Sequence, residues 1–286
     1  MSFLKVIVLA IVQGLAELLP VSSSAHVVVA EKLMGLDPSD PSMTLLLVML
    51  HTGTMFAVIV YFWRRWRATY FASRAQFKRT AAQVLFATVL TVLIGEGLVL
   101  LIERTAFAGA PHAQIEDLFS HLELIAPALA AAGMLILVAG LRAGRGGGDS
   151  PSELTTAQAG IIGAVQGLSL PFRGFSRSGA SISTGMLAGV ARAAAENFSF
   201  ALAVVLTPAV VAREALRVLH AQHAGGAGAL SGALVPSLLG AAVAFLAGLL
   251  ALGWLSGWLE NGRWYLFGVY CLIGAVAVGG LYLAGY

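Results

Sequence analysis

Glu17, Ser23, His26 and Arg177 are the side chains of this sequence best equipped for chemistry, and they stand in two segments that echo one another. The first runs from Gln13-Gly14-Leu15 through Pro20 into Ser22-Ser23-Ser24; the second runs from Gln166-Gly167-Leu168 through Pro171 into Ser176-Arg177-Ser178. Ser23 and His26 are three residues apart, so a helix starting by Ser22 sets them within reach of each other. A serine beside a histidine is the smallest activated nucleophile. Glu17 lies six residues before Ser23, across the Pro20 break. From there it could orient His26, act as a base, or hold a divalent cation against a phosphate.

Each segment also outlines an anion site. A serine-rich turn ahead of the helix-forming run Val27–Glu31 leaves backbone N–H groups at the positive end of a helix, where phosphate binds. The second segment sets Gly174, Ser176, Ser178, Gly179 and Ser181 around Arg177, a planar cationic fork matched to two phosphate oxygens. The two segments together describe an oxyanion clamp. The residues expected to hold substrate are Gln13, Ser22, Ser24, Arg173, Gly174, Ser176, Ser178 and Ser181. Plainer roles stand beside these: Ser22 and Ser24 as helix caps, His26 as a satisfied interior histidine, Glu17 as a structural partner of Arg177, and Arg173 as a charge reaching for water. His51, Glu96 and the Arg213–Glu214 pair are read as structural, since no loop or repeated motif surrounds them. Glu103, His112 and His121 are assigned nothing.

The elements that must position these residues are membrane helices. The 286 residues are 58% hydrophobic and 11% charged, with a mean hydropathy of +0.87, whereas about a quarter of a soluble protein is charged. Runs 43–62, 124–141, 233–256 and 264–286 carry no charge over a span's length. Run 83–102 is interrupted by Glu96 alone, and 198–219 is clean up to Arg213, so six spans are expected. Arg64, Arg65, Arg67, Arg74, Lys78 and Arg79 crowd one loop, 63–82, without an acidic residue; the positive-inside rule puts it in the cytoplasm and removes the case for nucleic acid. The single cysteine, Cys271, excludes a disulfide within the chain. The opening residues lack a cleavage pattern and are read as mature protein.

Fixing loop 63–82 inside sets 35–42 and 103–121 outside and returns the chain to the cytoplasm at Arg142, before a Gly146–Pro151 linker that divides two halves, 1–145 and 152–286. Segments 1–34 and 154–190 each hold an apolar helix, a proline break and a second short helix, 27–34 and 182–190. Broken helices at membrane depth survive where they face protein or water. Both segments are therefore expected as re-entrant hairpins, although ordinary spans with back-bonded serines are the simpler alternative. One hairpin and three spans per half makes the halves inverted, with the site where they meet.

The runs Gln13 to His26 and Gly174 to Ser183, with Asn197-Phe198-Ser199-Phe200 beyond them, resemble the signature motifs of the bacterial undecaprenyl-diphosphate phosphatases, or bacitracin-resistance proteins. The similarity covers nearly the whole chain. It implies an all-α integral membrane fold of six spans and two hairpins, and hydrolysis of undecaprenyl diphosphate to undecaprenyl phosphate at the outer face of the bacterial plasma membrane. It further implies a divalent cation (Mg²⁺ or Ca²⁺) near Glu17 and Gln13, a homodimer, and essential roles for Glu17, Ser23, His26 and Arg177. Two departures stand out. Gln13 occupies a position where many relatives carry glutamate, and the loop Leu170–Phe175 is one residue longer than the common form and adds Arg173. Either Ser23 attacks with His26 as base, or His26 attacks directly. The rival readings are a transporter of undecaprenyl phosphate built on the same inverted repeats, and an intramembrane serine protease.

Overall fold

The computed structural model describes residues 2–36, 41–106, 121–143, 153–225, 228–260 and 262–285, and every regular element among them is an α-helix. In chain order these are α1 (Phe3–Leu18), α2 (Ser23–Leu33), α3 (Pro41–Thr69), α4 (Arg74–Ala106), α5 (Leu122–Ala143), α6 (Thr156–Leu168), α7 (Arg177–Leu187), α8 (Arg192–Gly225), α9 (Gly228–Glu260) and α10 (Tyr265–Leu283). Six of them, α3, α4, α5, α8, α9 and α10, are long and apolar enough to cross a membrane. These are the six runs expected from the sequence.

The basic stretch 63–82 is not the loop its charges suggested. Helix α3 continues through Arg64, Arg65 and Arg67, and α4 begins at Arg74 after a turn at residues 70–73. Arginine favours helix, and its apolar stem lets a helix continue past the hydrocarbon edge while the head group finds polar company. Arg65 shows how: its guanidinium lies 3.6 Å from buried Glu196 and about 6 Å from the ring centres of Tyr61 and Phe62. The Gly146–Pro151 linker and the acidic positions Asp37, Asp40, Glu116 and Asp117 lie outside the described residues.

Helices α1 and α2 pack on each other, as do α6 and α7. At 16 and 11 residues, α1 and α2 extend about 24 and 17 Å, short of a hydrocarbon core of about 30 Å. Lys5 Nζ donates to the Met34 carbonyl (2.7 Å), joining the start of α1 to the end of α2. Gln158 Nε2 donates to the Ala188 carbonyl (2.9 Å), doing the same for α6 and α7. The start of α6 is also tied to the start of α4, where Gln83 Nε2 donates to the Leu154 carbonyl at 2.7 Å and Arg79 pairs with Glu153 at 2.6 Å.

Each first arm lies against a long helix from the other half of the sequence, α1 on α9 and α6 on α4. Glycine permits the approach, as small residues do in membrane packing. A Cβ at Gly14 would stand 2.7 Å from the Ala244 carbonyl oxygen, and one at Gly53 of α3 would stand 2.2 Å from that of Ala241 on α9. Gly53→Ala is therefore expected to force α3 off α9 and cost about 1–3 kcal/mol. Thermal unfolding in detergent checks this, with Gly97→Ala, which meets nothing within 4 Å, as the silent control. The two halves also join through aromatic packing, with buried Phe62 and Phe200 at a ring separation of 5.1 Å.

Candidate active site

Helix α1 stops at Leu18, where Pro20 cannot continue it, and the chain turns through Ser22 at φ 66°. Ser22 is the one non-glycine residue with positive φ among the described residues. Such a conformation carries a steric cost that its surroundings must hold in place. The following helices begin at Ser23 and Arg177, earlier than the expected 27–34 and 182–190, so both residues occupy the first, positively polarised turn. Ser176 caps α7 by accepting from the Gly179 N–H at 3.2 Å. Ser22 makes no such bond to α2; its hydroxyl pairs with Ser24 Oγ at 3.3 Å. No Ser22 side-chain cap therefore satisfies the N–H groups that open α2, and such groups at a helix start favour negative charge.

The two turns meet at a carboxylate. Arg177 Nη2 donates to Glu17 Oε1. Ser23 Oγ donates to Glu17 Oε2 at 2.6 Å, and Gln13 Nε2 donates to the same oxygen at 3.1 Å. His51 Nε2 approaches Oε2 from α3 at 3.8 Å. Ser178 Oγ closes the contact between the segments by donating to the Leu19 carbonyl at 3.3 Å. The Glu17 and Arg177 side chains are 13% and 22% exposed, so each depends on the other for charge balance. Above the pair opens a small polar cavity lined by Ala16, Glu17, Ser22, Ser23, Ser24, Ser169, Phe175, Ser176, Arg177 and Ser178. A hydroxyl-walled space over one guanidinium and one helix N-terminus offers the donors and positive charge that suit an oxyanion.

Of the expected residues, Glu17, Ser22, Ser23, Ser24, Ser176, Arg177 and Ser178 line this cavity, and Gln13 is buried behind Glu17. Four others are engaged elsewhere. His26 makes no bond to Ser23: its Nδ1 lies 2.8 Å from the Ser22 carbonyl oxygen and its Nε2 lies 2.7 Å from Tyr270 Oη. Three-residue spacing put the two on adjacent helix faces, but the serine turns to Glu17 and the imidazole to α10. Ser181 turns into the protein, donating to the Arg177 carbonyl at 2.7 Å and sharing a 2.6 Å bond with Ser199 Oγ. Gly174 shapes the loop, at φ 106° with Ile125 O 2.5 Å from where its Cβ would be. Arg173 is coupled electrostatically to Glu31 of α2.

Sequence reasoning missed Ser169 and Phe175 in the wall, His51 beside Glu17, and Tyr270 beside His26. His51 carried a signal, an ionisable side chain inside an apolar span. Tyr270 carried none, because tyrosine is common along membrane helices.

Gln13 and Glu17 do not by themselves build a divalent-cation site. Such cations take six or more oxygens. Glu17 is the cavity's carboxylate, and both of its oxygens are already engaged. Gln13 presents its amide nitrogen, and among the described residues no group of three His, Cys, Asp or Glu side chains gathers.

Six helices apolar enough to span a membrane, with a serine-walled cavity over an arginine–glutamate pair, define a multi-pass membrane protein with a polar cavity where its two serine-rich turns meet. Residues 6–277 match the family described as Bacitracin resistance protein BacA, and the chain belongs to that family. It is 59% identical over 275 residues to an undecaprenyl-diphosphatase 2 of Acinetobacter baylyi, covering 95% of each chain. It is 35% identical to an undecaprenyl-diphosphatase of Desulfosudis oleivorans over 93% of this chain and 94% of the relative. With the undecaprenyl-diphosphatase of Rhodopirellula baltica the identity is 32%, over 95% of both.

Proposed function

We propose that this protein hydrolyses undecaprenyl diphosphate to undecaprenyl phosphate and inorganic phosphate, returning the lipid carrier to peptidoglycan synthesis and conferring bacitracin resistance. The observation that carries the proposal is the Ser23–Glu17–Arg177 cluster, in which a hydroxyl, the carboxylate that can take its proton, and a guanidinium meet over a polar cavity. The terminal phosphate sits against Arg177, the serines and the start of α2. Ser23 Oγ attacks its phosphorus while the hydroxyl proton passes to Glu17 Oε2. The Oγ–P bond forms, the bond from that phosphorus to the bridging oxygen breaks, and undecaprenyl phosphate departs. Water then displaces the phosphoryl group from Ser23, Glu17 returns the proton to Oγ, and inorganic phosphate leaves. Arg177 and the N–H groups stabilise charge throughout, the dominant contribution in phosphoryl transfer.

The architecture proposed with this chemistry is a pair of inverted repeats, 1–145 and 152–286, each with a re-entrant hairpin. The bonds closing each hairpin, Lys5 to Met34 and Gln158 to Ala188, support it. So does the tie between the start of α6 and the start of α4, which lies one crossing of α3 away from the end of hairpin α1–α2. A homodimer, and a site open to the outer, periplasmic face of the bacterial inner membrane, complete the proposal on the strength of the family resemblance.

Transport of undecaprenyl phosphate is favoured by one feature. A second, narrow recess, lined by His51, Thr54, Val58, Phe200, Val204 and Thr207 among others, shares Glu17 and Arg177 with the first, so the ion pair borders both. Detergent separates the readings, because it leaves no sides to cross. Purified protein given a prenyl diphosphate in detergent is expected to release inorganic phosphate, and a parallel reaction with chelator reads out any divalent cation the diphosphate brings. Absence of release with either metal, alongside carriage of undecaprenyl phosphate across reconstituted vesicles, would replace the phosphatase by the transporter.

A further inference from the structure

His26 is held from two sides by groups the reaction does not use. The Ser22 carbonyl can only accept, so the proton of a neutral ring sits on Nδ1, 2.8 Å away. Nε2 is then an acceptor, and Tyr270 Oη at 2.7 Å is its donor. The two rings also stack, with centroids 5.7 Å apart and planes within 9°. The next residue of α10 grips the other end of the same turn, Cys271 Sγ donating to the Pro20 carbonyl at 3.4 Å. The rotation of α10 that aims both side chains is fixed by its contact with α5, where a Cβ at Gly268 would lie 2.6 Å from Leu137 N and 2.7 Å from the Gly133 carbonyl oxygen. Tyr270 is 49% exposed, so burial does not force its hydroxyl onto the histidine.

The strained Ser22 turn needs such a brace. Ser22 at φ 66° immediately precedes Ser23, and its carbonyl is the group His26 occupies. Loosening the imidazole leaves that carbonyl only the longer bond from the His26 backbone N–H, at 3.4 Å, and with it a less tightly held direction for Ser23 Oγ.

We propose that Tyr270 is the positioning residue of His26: from α10 its hydroxyl anchors Nε2 of an imidazole whose Nδ1–H the Ser22 carbonyl holds, and through His26 and Ser22 it fixes Ser23 for attack. The kinetic part rests on the phosphatase reading; the hydrogen bond from Tyr270 to His26 does not. Tyr270 touches no reacting atom. Its hydroxyl acts on the geometry of the attacking serine, while Arg177, Ser176 and Ser178 keep their hold on phosphate.

The test uses the full-length protein in detergent, labelled with ¹⁵N-histidine, with the His26 signal identified by its loss in His26→Gln. Wild type is expected to show a protonated Nδ1 and a hydrogen-bonded, unprotonated Nε2, and Tyr270→Phe, which keeps the ring stack, the same tautomer with its Nε2 signal shifted by loss of the donor. Losing one hydrogen bond of about 0.5–1.5 kcal/mol should lower kcat about three- to tenfold with KM within about twofold. Cys271→Ala, which leaves the tyrosine in place, should keep the wild-type Nε2 signal. A wild-type His26 protonated on Nε2, an unchanged His26 signal in Tyr270→Phe, or a rise in KM without a fall in kcat would each overturn the proposal. Wild-type protein that releases no phosphate, with the Nε2 signal still shifting in Tyr270→Phe, would fail the phosphatase reading and leave the role of Tyr270 in positioning His26 standing.

Discussion

Arg177→Ala is expected to lower kcat/KM for phosphate release by roughly a thousandfold or more. Two losses combine. The cavity forfeits its permanent cation, and removing a single pre-aimed donor from an oxyanion site costs roughly 10²–10³ in rate. Glu17 also loses the guanidinium that balances it. A buried carboxylate without its partner costs about 3–5 kcal/mol of stability, so the variant is expected to melt at a lower temperature as well. Glu17→Gln/Arg177→Gln separates the two effects. With both charges gone, melting should recover towards wild type while hydrolysis stays lost. Arg177→Lys keeps the charge but not the fork that spans two oxygens, and should regain only a small part of the rate. Activity of Arg177→Ala within tenfold of wild type, in folded protein, would remove the clamp from the account.

Ser23→Ala is expected to have a comparable effect, about a thousandfold or more, since it removes the nucleophile itself and the proton that Glu17 is placed to take. The neighbours provide the contrast. Ser22→Ala and Ser24→Ala lose hydroxyls paired with each other rather than with Glu17, and should cost about tenfold or less each. His26→Ala should fall between these limits, because His26 acts on the turn and not on the serine hydroxyl. Steady-state phosphate release from the four proteins ranks them directly. An inactive His26→Ala beside an active Ser23→Ala would move the attack to the imidazole.

The centre of this site was legible in the sequence for a physical reason. Glu17 and Arg177 are charges inside apolar surroundings, and charges there must be paired or used, so the duplicated turns that hold them stood out. The six spans were legible because a run of apolar residues has few other uses. What sequence could not supply was direction. Ser181 and Arg173 read as phosphate ligands because they flank Arg177 in the chain, yet one faces Ser199 and the other is coupled to Glu31. The Ser23–His26 spacing allowed a contact that Glu17 and Tyr270 outcompete. His51 and Tyr270 lie on α3 and α10, and only the packing of those helices around the first hairpin brings them to Glu17 and His26. The basic stretch read as a loop because charge was taken to end helices, whereas Arg64, Arg65 and Arg67 extend α3 beyond its apolar run.

The most direct test of the central claim, that Ser23 is activated by Glu17 where the two hairpins meet, is a rapid-quench single turnover on a prenyl diphosphate radiolabelled in its terminal phosphate. The account predicts label transiently on the peptide containing Ser23, as an acid-stable phosphoester, absent from Ser23→Ala and strongly reduced in Glu17→Gln. Label appearing instead as an acid-labile adduct on His26, or full-rate turnover with no label on the protein at any time, would contradict it.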